Sequence, residues 1–243
     1  MRDLILNLSW LMIIIAFFVF LSLKLGLTAG YGRYTNSDHW GLPASIAWFV
    51  QEAPSFFIPL YFMFLATSPC GAFLNLLFLA HYFNRAIVYP YRLRSNTTSP
   101  LYIMLSAVVF CAYNGFIQGA WNSLYQECDD SKFFYILGAQ IFLIGMYINW
   151  RADAILRNLR APGETGYKIP NGFLYDYITC PNYFGEIVEW IGYAIAARSL
   201  PAVAFAIFTI ANIGPRAFSH HQWYKEKFPE YPKERKALIP LFL

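Results

Sequence analysis

One carboxyl group lies where the sequence offers it no polar surroundings. Glu52 occupies the run WFVQEAPSF at 48–56, which is apolar on both sides and has no basic residue within a helical turn of Glu52. An ionisable group at membrane depth is costly unless it faces a cavity, a partner or a ligand. Glu52 is therefore a candidate for chemistry, and the alternative is a structural pair with an Arg distant in the sequence.

A tyrosine and an arginine occur together in a second apolar stretch, next to His81. Tyr82, Arg85 and Tyr89 are spaced i, i+3 and i+7, so a helix would place them on one face. An interfacial aromatic belt with a snorkelling Arg is the alternative. That alternative explains Tyr89 better than Tyr82, so Tyr82 is the second candidate for chemistry.

Three further polar stripes lie at one predicted depth, each with helical spacing. A single stripe is more often a solvated helix end or an interhelical pair. Three together describe a polar pocket with several cations, as an anionic, phosphate-bearing ligand requires. The stripes are Asn149, Asp153, Arg157 and Arg160, then Asn182, Glu186 and Glu189, and finally Arg216, His220 and Tyr224.

The sequence contains none of the common nucleotide or metal motifs of soluble enzymes. Neither G-x-G-x-x-G after a strand nor G-x-x-x-x-G-K-[ST] is found, and H-E-x-x-H is missing as well. The four cysteines are widely spaced and form no C-x-x-C pair. They are Cys70, Cys111, Cys128 and Cys180. We therefore expect no bound metal, no zinc site and no disulfide framework.

The elements that position these residues are predicted to be membrane helices. Hydrophobic residues make up 58% of the chain and charged residues 13%, which leaves too little polar surface for a soluble globule. Apolar segments of about 20 residues match the thickness of a bilayer. We predict an all-α polytopic fold in one domain, 1–243, with seven transmembrane helices. The spans are 4–24, 43–66, 70–90, 100–121, 133–156, 181–197 and 199–220.

The basic residues predict how the chain is oriented. Seven spans place thirteen Lys and Arg residues on one side and three on the other. The positive-inside rule makes the basic side, which includes the C-terminus, cytoplasmic. The loop over 157–181 lies on that side, and its turn signals predict an ordered loop. The net charge of +4 is explained by these topology signals, so no nucleic-acid partner is expected.

Ordered blocks along nearly the whole chain after the first span resemble the steroid 5α-reductases, or 3-oxo-5-alpha-steroid 4-dehydrogenases. Lys168 stands where the pattern of that family leads us to expect Arg. The blocks include GYGRY at 30–34, WFVQEAPSF at 48–56, HYFNR at 81–85, NG at 114–115, YKIP at 167–170, NYFGE at 182–186, RAF at 216–218 and RKALIP at 235–240.

The resemblance implies an enzyme that uses NADPH to reduce the C4–C5 double bond of a 3-keto-4-ene steroid. The substrate side would lie mainly in 1–120 and the NADPH side mainly in 133–243. By motif, Glu52 and Tyr82 hold the steroid carbonyl, and the substrate residues also include Tyr31, Gly32 and Gln51. The cofactor residues implied by the blocks and stripes are Arg85, Asn149, Asp153, Arg157, Arg160, Lys168, Asn182, Glu186, Arg216, His220 and Tyr224.

The chemistry of such a reduction agrees with the residues. Hydride attack on the β-carbon of an enone builds negative charge on the carbonyl oxygen, so the protein must supply hydrogen-bond donors there. A tyrosine hydroxyl donates at neutral pH. Burial in an apolar segment disfavours a charged carboxyl, so Glu52 is expected to be a neutral donor. The nicotinamide supplies the hydride.

Other functions stay open at this point. The substrate could be another enone or enoyl lipid, such as a polyprenol precursor or a fatty acyl-CoA. The cytoplasmic half also resembles isoprenylcysteine methyltransferases, although methyl transfer needs no carbonyl clamp. A proton-coupled transporter is a further class, but no inverted repeat is found. We expect a bilayer and a lipid substrate as partners, no obligate protein partner, and either a bacterial inner membrane or the endoplasmic reticulum as location.

Overall fold

The computed structural model describes residues 1–27, 40–93, 98–128, 132–161, 164 and 166–242. Within them the chain is almost entirely helical, which confirms the all-α prediction. A π-helical turn over Asn84–Val88 joins α3 to α4, and a 3₁₀ turn covers Phe173–Asp176. Strands β1, Gly41–Pro43, and β2, Thr98–Pro100, form a short antiparallel ladder. The helices are α1 Arg2–Lys24, α2 Ala44–Met63, α3 Pro69–Phe83, α4 Tyr89–Arg92, α5 Leu101–Tyr125, α6 Lys132–Asn158, α7 Pro181–Ala197 and α8 Leu200–Lys227.

Several helices have the length and composition of membrane spans. Among the described residues, α1, α5, α6 and α8 are long and apolar enough to cross a bilayer. Their outer faces carry exposed large apolar side chains such as Trp10, Phe17 and Tyr147. In a helical fold these side chains are suited to lipid. The chain is therefore an integral membrane protein, whereas the count of seven spans stays a prediction.

The last helix is longer than its hydropathy indicates. The predicted span ends near residue 220, but α8 continues to Lys227. Its final turns carry His221, Gln222 and Lys225, which lower the hydropathy without interrupting the helical hydrogen bonds. The end of a hydropathy window therefore marks the end of the apolar segment and not the end of the helix.

Helices α6 and α7 approach each other closely because four glycines face one another. Gly138 and Gly145 are seven residues apart on α6, and Gly185 and Gly192 are seven apart on α7. A Cβ added to Gly145 would overlap the backbone of α7, and one added to Gly185 would lie 2.5 Å from the backbone nitrogen of Asn149. Small residues permit such close packing of membrane helices. This interface fixes the register of the polar stripes on α6 and α7.

Helices α2 and α5 approach through prolines and glycines. Pro54 and Pro59 lie inside α2. A Cβ added to Gly115 on α5 would lie 2.9 Å from the carbonyl oxygen of Pro54, and one added to Gly119 would lie 2.8 Å from Cα of Pro59. A helix-interior proline removes a backbone hydrogen bond, so α2 can bend against α5. This contact brings Glu52 beside α5.

A disulfide joins the start of α3 to the segment after α5, so the expectation of no disulfide was wrong. Cys70 and Cys128 are bonded, with Cα atoms 5.4 Å apart and a sequence separation of 58. The hydroxyl of Thr67 donates to the carbonyl of Ser123 beside them. The long separation concealed the pair, because only the packing of α3 against α5 places both cysteines at one end of the protein.

The C-terminal segment binds the loop that precedes α7. The backbone nitrogen of Thr179 donates to the carbonyl of Lys236 at 2.8 Å, and Ile178 forms a parallel bridge with Lys236. Arg235 is buried and donates from Nη1 to the carbonyl of Pro170 at 3.1 Å. The second half of the loop is thus ordered, in agreement with the sequence-based prediction.

Candidate active site

Hydrogen-bond donors surround the carboxyl group of Glu52 inside the membrane domain. Glu52 is buried on α2, and its Oε1 accepts from the amide of Gln51 at 3.4 Å. The thiol of Cys111 on α5 donates to Oε2 at 3.6 Å. Nε of Arg85 lies 3.7 Å from Oε1. The sequence analysis left open that Glu52 pairs with an Arg distant in sequence, and the structure shows this pair with Arg85.

Arg85 lies in the π-helical turn between α3 and α4 and connects two groups of carboxylates. Its guanidinium carbon lies 4.5 Å from the ring centre of Trp48. It interacts electrostatically with Glu52 on α2, Glu186 on α7 and Asp153 on α6. A π-helical turn adds a residue to one turn of a helix and is frequent at functional sites. Arg85 therefore lies between the predicted substrate side and the predicted cofactor side.

Tyr82 is held on α3 by packed rings and by an amide. Its side chain is buried, with the ring centre 4.7 Å from that of Phe78. The amide nitrogen of Asn114 on α5 donates to its hydroxyl oxygen at 3.5 Å. The hydroxyl also interacts electrostatically with Cys111 and Glu52. The two residues predicted to hold a carbonyl group therefore border the same buried space.

A second buried ion pair lies behind Tyr82. Nδ1 of His81 on α3 lies 2.8 Å from Oε1 of Glu189 on α7, and both side chains are buried. The other oxygen of Glu189 has no hydrogen-bond partner among the described residues. The sequence placed Glu189 in one stripe with Asn182 and Glu186, whereas in the structure its hydrogen bond to His81 links α7 to α3.

On the cofactor side, α6 and α7 join three of the predicted residues. Asn149 donates from its amide to the backbone carbonyl of Asn182 at 3.0 Å. The amide of Asn182 donates to Oδ1 of Asp153 at 3.2 Å. Glu186 lies one turn further along α7 and interacts with Arg85. The glycine contacts between the two helices explain this convergence, because they bring the backbones of α6 and α7 together.

A small cleft of about 120 Å³ opens beside these residues. Three of its lining residues, Asn182, His220 and Tyr224, are among the predicted cofactor residues. Nε2 of His220 lies 3.3 Å from the hydroxyl of Tyr183, which the stripes omitted although it adjoins Asn182 in sequence. The complete lining is Leu156, Tyr175, Thr179, Cys180, Asn182, Tyr183, His220 and Tyr224.

One wall of the cleft is fixed by a buried hydroxyl that the sequence gave no reason to select. Oγ1 of Thr179 lies 2.6 Å from Nδ1 of His221 and 2.7 Å from the hydroxyl of Tyr231, and it donates to the carbonyl of Lys236. Burial raises the pKa of Tyr231. The ring of Tyr231 stacks on that of Tyr224 at 5.4 Å. The C-terminal segment thereby supports the cleft from outside.

Comparisons with known proteins identify the family of this chain. A profile of the 3-oxo-5-alpha-steroid 4-dehydrogenase family matches residues 97–243. The chain is 46% identical to 3-oxo-5-alpha-steroid 4-dehydrogenase 1 of Bos taurus over 224 residues, which cover 88% of this chain and 87% of that protein. The chain belongs to this family. It is therefore an oxidoreductase that acts on CH–CH groups, and the family implies a nicotinamide cofactor.

Human relatives show the same degree of similarity. The chain is 44% identical to 3-oxo-5-alpha-steroid 4-dehydrogenase 1 of Homo sapiens over 221 residues, covering 86% of this chain and 85% of the relative. It is also 44% identical to 3-oxo-5-alpha-steroid 4-dehydrogenase 2 of Homo sapiens over 230 residues, covering 90% of each. Such coverage includes the segments that carry Glu52 and Tyr82 as well as the cleft.

Two cations that the family resemblance assigned to the cofactor bind partners from their own loop. Arg160 is exposed and donates from Nη1 to the carbonyl of Gly166 at 3.2 Å. Lys168 pairs with Glu164, and this hydrogen bond lowers the pKa of Glu164. Neither side chain lines the cleft.

Two further predicted cations, Arg157 and Arg216, lie on the helices. Arg157 is half-buried on α6, and Nε of Arg216 donates to Oδ1 of Asn212 on α8 at 3.2 Å. The ring of Tyr167 in the loop packs on that of Trp223 at 4.9 Å, which joins the loop to α8. The structure thus gathers Asn149, Asp153 and Asn182 closely, whereas none of Arg157, Arg160, Lys168 and Arg216 lines the cleft.

Two predicted substrate residues, Tyr31 and Gly32, lie outside the described residues.

Proposed function

We propose that this protein uses NADPH to reduce the C4–C5 double bond of 3-keto-4-ene steroids to 5α-3-ketosteroids. The main support for the proposal is the proximity of Tyr82, Glu52 and Arg85 between the predicted substrate and cofactor sides. Glu52 interacts electrostatically with both Tyr82 and Arg85. Hydrogen-bond donors within an apolar helical domain suit an apolar substrate with one carbonyl group. The names of the relatives specify 3-oxo steroids as the substrate class.

Tyr82 and Glu52 polarise the steroid carbonyl in this mechanism. Because Asn114 donates to the hydroxyl oxygen of Tyr82, the hydroxyl hydrogen can donate to the substrate. A carboxyl group donates only in its protonated form, and in that form Glu52 is the second donor of this proposal. Both donors act where negative charge develops as hydride reaches C5, and a proton from water or a side chain then adds to C4.

The side chains around the cleft fit a phosphate-bearing dinucleotide. NADPH supplies the hydride when it is bound. The joined amides of Asn149 and Asn182 can hydrogen-bond the cofactor, and His220 and Tyr224 line the cleft. Four cations that do not line the cleft itself would bind its phosphates, including the 2′-phosphate that distinguishes NADPH from NADH. These cations are Arg157, Arg160, Lys168 and Arg216.

The cofactor enters from the cytoplasmic side, and the C-terminus lies there too. The basic loops lie on that side by the positive-inside rule. The Cys70–Cys128 disulfide belongs to the opposite side in the seven-span topology, which agrees with the formation of disulfides in oxidising compartments. Either the endoplasmic reticulum or a bacterial inner membrane satisfies this arrangement.

Impermeant thiol labelling of single cysteines tests the orientation. Lys168→Cys and Lys233→Cys should both react from the cytoplasmic face of sealed vesicles. Labelling of the two positions from opposite faces would contradict the topology.

A substrate and cofactor panel tests the reaction. The purified protein in lipid vesicles would be supplied with NADPH or NADH and with 3-keto-4-ene steroids, polyprenals or enoyl-CoA esters. We expect reduction of the steroids, with a higher kcat/KM for NADPH than for NADH. Reduction of a polyprenal or an enoyl-CoA without reduction of any steroid would contradict the proposed substrate.

A further inference from the structure

Two amide side chains, Asn114 and Gln118, are buried one turn apart on α5. Asn114 is 0% exposed and Gln118 is 1% exposed. Buried amides of this kind must find hydrogen-bond partners within the protein, because unpaired polar groups are costly away from water. Asn114 reaches Tyr82 at one end of the pair, and Gln118 reaches the start of α8 at the other.

The orientation of both amides follows from a single backbone carbonyl. The carbonyl oxygen of Pro201 can only accept, so the group of Gln118 that lies 2.8 Å from it must be the NH₂ group. The second hydrogen of that group points to Oδ1 of Asn114 at 3.3 Å. Since Oδ1 is thereby occupied, the NH₂ group of Asn114 is the one that faces Tyr82.

The hydroxyl oxygen of Tyr82 is consequently an acceptor on the side of Asn114. A phenol has one hydrogen, and a donor cannot receive it. The hydrogen of Tyr82 must therefore point away from Asn114, toward the side where the Ser55 side chain hydrogen-bonds the Tyr82 hydroxyl and where Cys111 and Glu52 lie. That side is the proposed position of the substrate carbonyl.

We propose that Asn114, held by Gln118, is a positioning residue that directs the hydroxyl hydrogen of Tyr82 toward the substrate carbonyl. The inference rests on the proposed function of Tyr82 and adds the residues that orient it. Asn114 acts through Tyr82 and does not itself contact the steroid. Its effect belongs to turnover, because a donor that is already aimed need not reorganise as charge develops.

The comparison of Asn114→Asp with Asn114→Ala tests the proposal. An aspartate carboxylate only accepts hydrogen bonds, so it would draw the hydrogen of Tyr82 away from the substrate. We expect Asn114→Asp to lower kcat by about 10²- to 10³-fold, as does loss of a preorganised donor. Asn114→Ala leaves the hydroxyl free to turn, and we expect a loss smaller than about 10-fold. A purely structural role predicts the reverse order, because Asp preserves the volume of Asn.

Asn122→Asp is the matched control. Asn122 also lies on α5, is buried, and donates from its amide to a tyrosine hydroxyl, that of Tyr193, at 2.7 Å. The same substitution there introduces the same charge into the same helix but leaves Tyr82 untouched. We expect kcat, measured per folded and NADPH-binding molecule, to fall far less in Asn122→Asp than in Asn114→Asp. Equal losses in the two variants would overturn the proposal.

A second variant covers the case in which Asn114→Asp does not fold. Gln118→Leu retains Asn114 but allows its amide to turn over, because the Leu side chain cannot donate to Oδ1. We expect Gln118→Leu to lower kcat while the steroid KM and the melting temperature of the NADPH complex change little. An unchanged kcat in the folded Gln118→Leu protein would contradict the positioning role of Asn114.

The Tyr82→Phe background separates failure of this inference from failure of the proposed function. If Tyr82→Phe lowers kcat but Asn114→Asp in wild type does not, the positioning role alone is wrong. If Tyr82→Phe keeps normal turnover, the proposed role of Tyr82 is wrong, and the positioning role of Asn114 is wrong with it. We expect Asn114→Asp to cost little more once the hydroxyl of Tyr82 is absent, since the two substitutions remove one interaction.

Discussion

The predicted substrate and cofactor sides of this protein differ in how far their residues are buried and held by other helices. On the substrate side, Glu52, Tyr82 and Asn114 are buried and held by partners from several helices. On the cofactor side, Arg160 and Lys168 lie at the surface and bind neighbours in their own loop. The side chains predicted to act at the carbonyl are therefore buried and hydrogen-bonded, whereas two of the cations predicted to bind phosphate are exposed in a loop.

This difference matches what each ligand group requires. Charge on a steroid carbonyl appears only in the transition state, so its donors must be in place beforehand. Phosphates carry full charge at all times and attract cations over several ångströms. A loop with exposed cations can therefore bind them without prior order. We expect substitutions on the predicted substrate side to affect turnover. Substitutions of the predicted phosphate-binding cations should affect cofactor affinity.

The largest effect should come from removing the carbonyl donors. We expect Tyr82→Phe and Glu52→Ala each to lower kcat by about 10²- to 10³-fold, the usual cost of one preorganised donor. Glu52→Gln retains an amide donor in nearly the same volume, so it should keep part of the activity if Glu52 acts as a neutral donor. Turnover and melting temperature of the three variants would be measured with NADPH bound.

The same variants reveal whether Glu52 acts chiefly as the partner of Arg85. In that case Gln and Ala would be similarly damaging at position 52, and both would destabilise the protein by leaving Arg85 unpaired. Near-normal turnover in a folded, NADPH-bound Glu52→Ala protein would exclude a role in catalysis for this residue.

The glycine contact on the cofactor side should show the next largest effect. Gly145→Ala places a methyl group against the backbone of α7, and overpacking of this kind costs about 1–3 kcal/mol. We expect a lower melting temperature and weaker NADPH binding, because Asn149 and Asn182 would separate. Gly214→Ala on α8 is the control, since no atom lies within 4 Å of its added Cβ. Equal destabilisation by both substitutions would contradict the packing argument.

Loss of one of the predicted phosphate-binding cations should weaken the binding of the cofactor and leave the binding of the steroid unchanged. We expect Arg216→Ala and Arg160→Ala to raise the KM for NADPH by about 10-fold each, the value of one charge-assisted contact, and to change the steroid KM little. Lys225→Ala removes an exposed cation from α8 that is not predicted to bind the cofactor, so it controls for net charge. If both arginine variants bind NADPH normally, these residues are not cofactor ligands.

Lys168 should show the smallest effect of the predicted residues. Its side chain is 46% exposed and paired with Glu164 four residues earlier, and exposed pairs contribute only about 0–1 kcal/mol. We therefore expect Lys168→Arg to leave the NADPH KM within about 3-fold of wild type. A change of about 100-fold in the NADPH KM would show that Lys168 contacts the cofactor directly and would contradict this expectation.

The sequence singled out Glu52 and Tyr82 because polar residues are conspicuous in apolar segments, and the structure buries both side chains. Glu52 and Tyr82 stood out individually, and packing brought them together. The sequence missed features that exist only between helices. The Cys70–Cys128 disulfide joins residues 58 apart. The orientation of Asn114 depends on Pro201 at the start of α8.

On the predicted cofactor side, the sequence identified residues that the structure brings together but did not reveal their contacts. Helical spacing identified Asn149, Asp153 and Asn182, and the structure joins them. Spacing alone did not indicate that Glu189 would leave its stripe for His81. It also did not reveal Thr179, because a threonine in a loop has no distinctive sequence pattern. Long-range contacts decide such positions, and a single sequence does not contain them.

Transfer of deuterium from the cofactor to the steroid tests the central claim most directly. The purified protein would be given NADPH carrying deuterium at C4 of the nicotinamide, together with a 3-keto-4-ene steroid, and the product analysed by mass spectrometry and NMR. The proposed reaction places the deuterium at C5 of a 5α-3-ketosteroid, and the Tyr82→Phe protein forms the same product far more slowly. A product with deuterium at C3, or no steroid product from a folded and NADPH-bound protein, would contradict it.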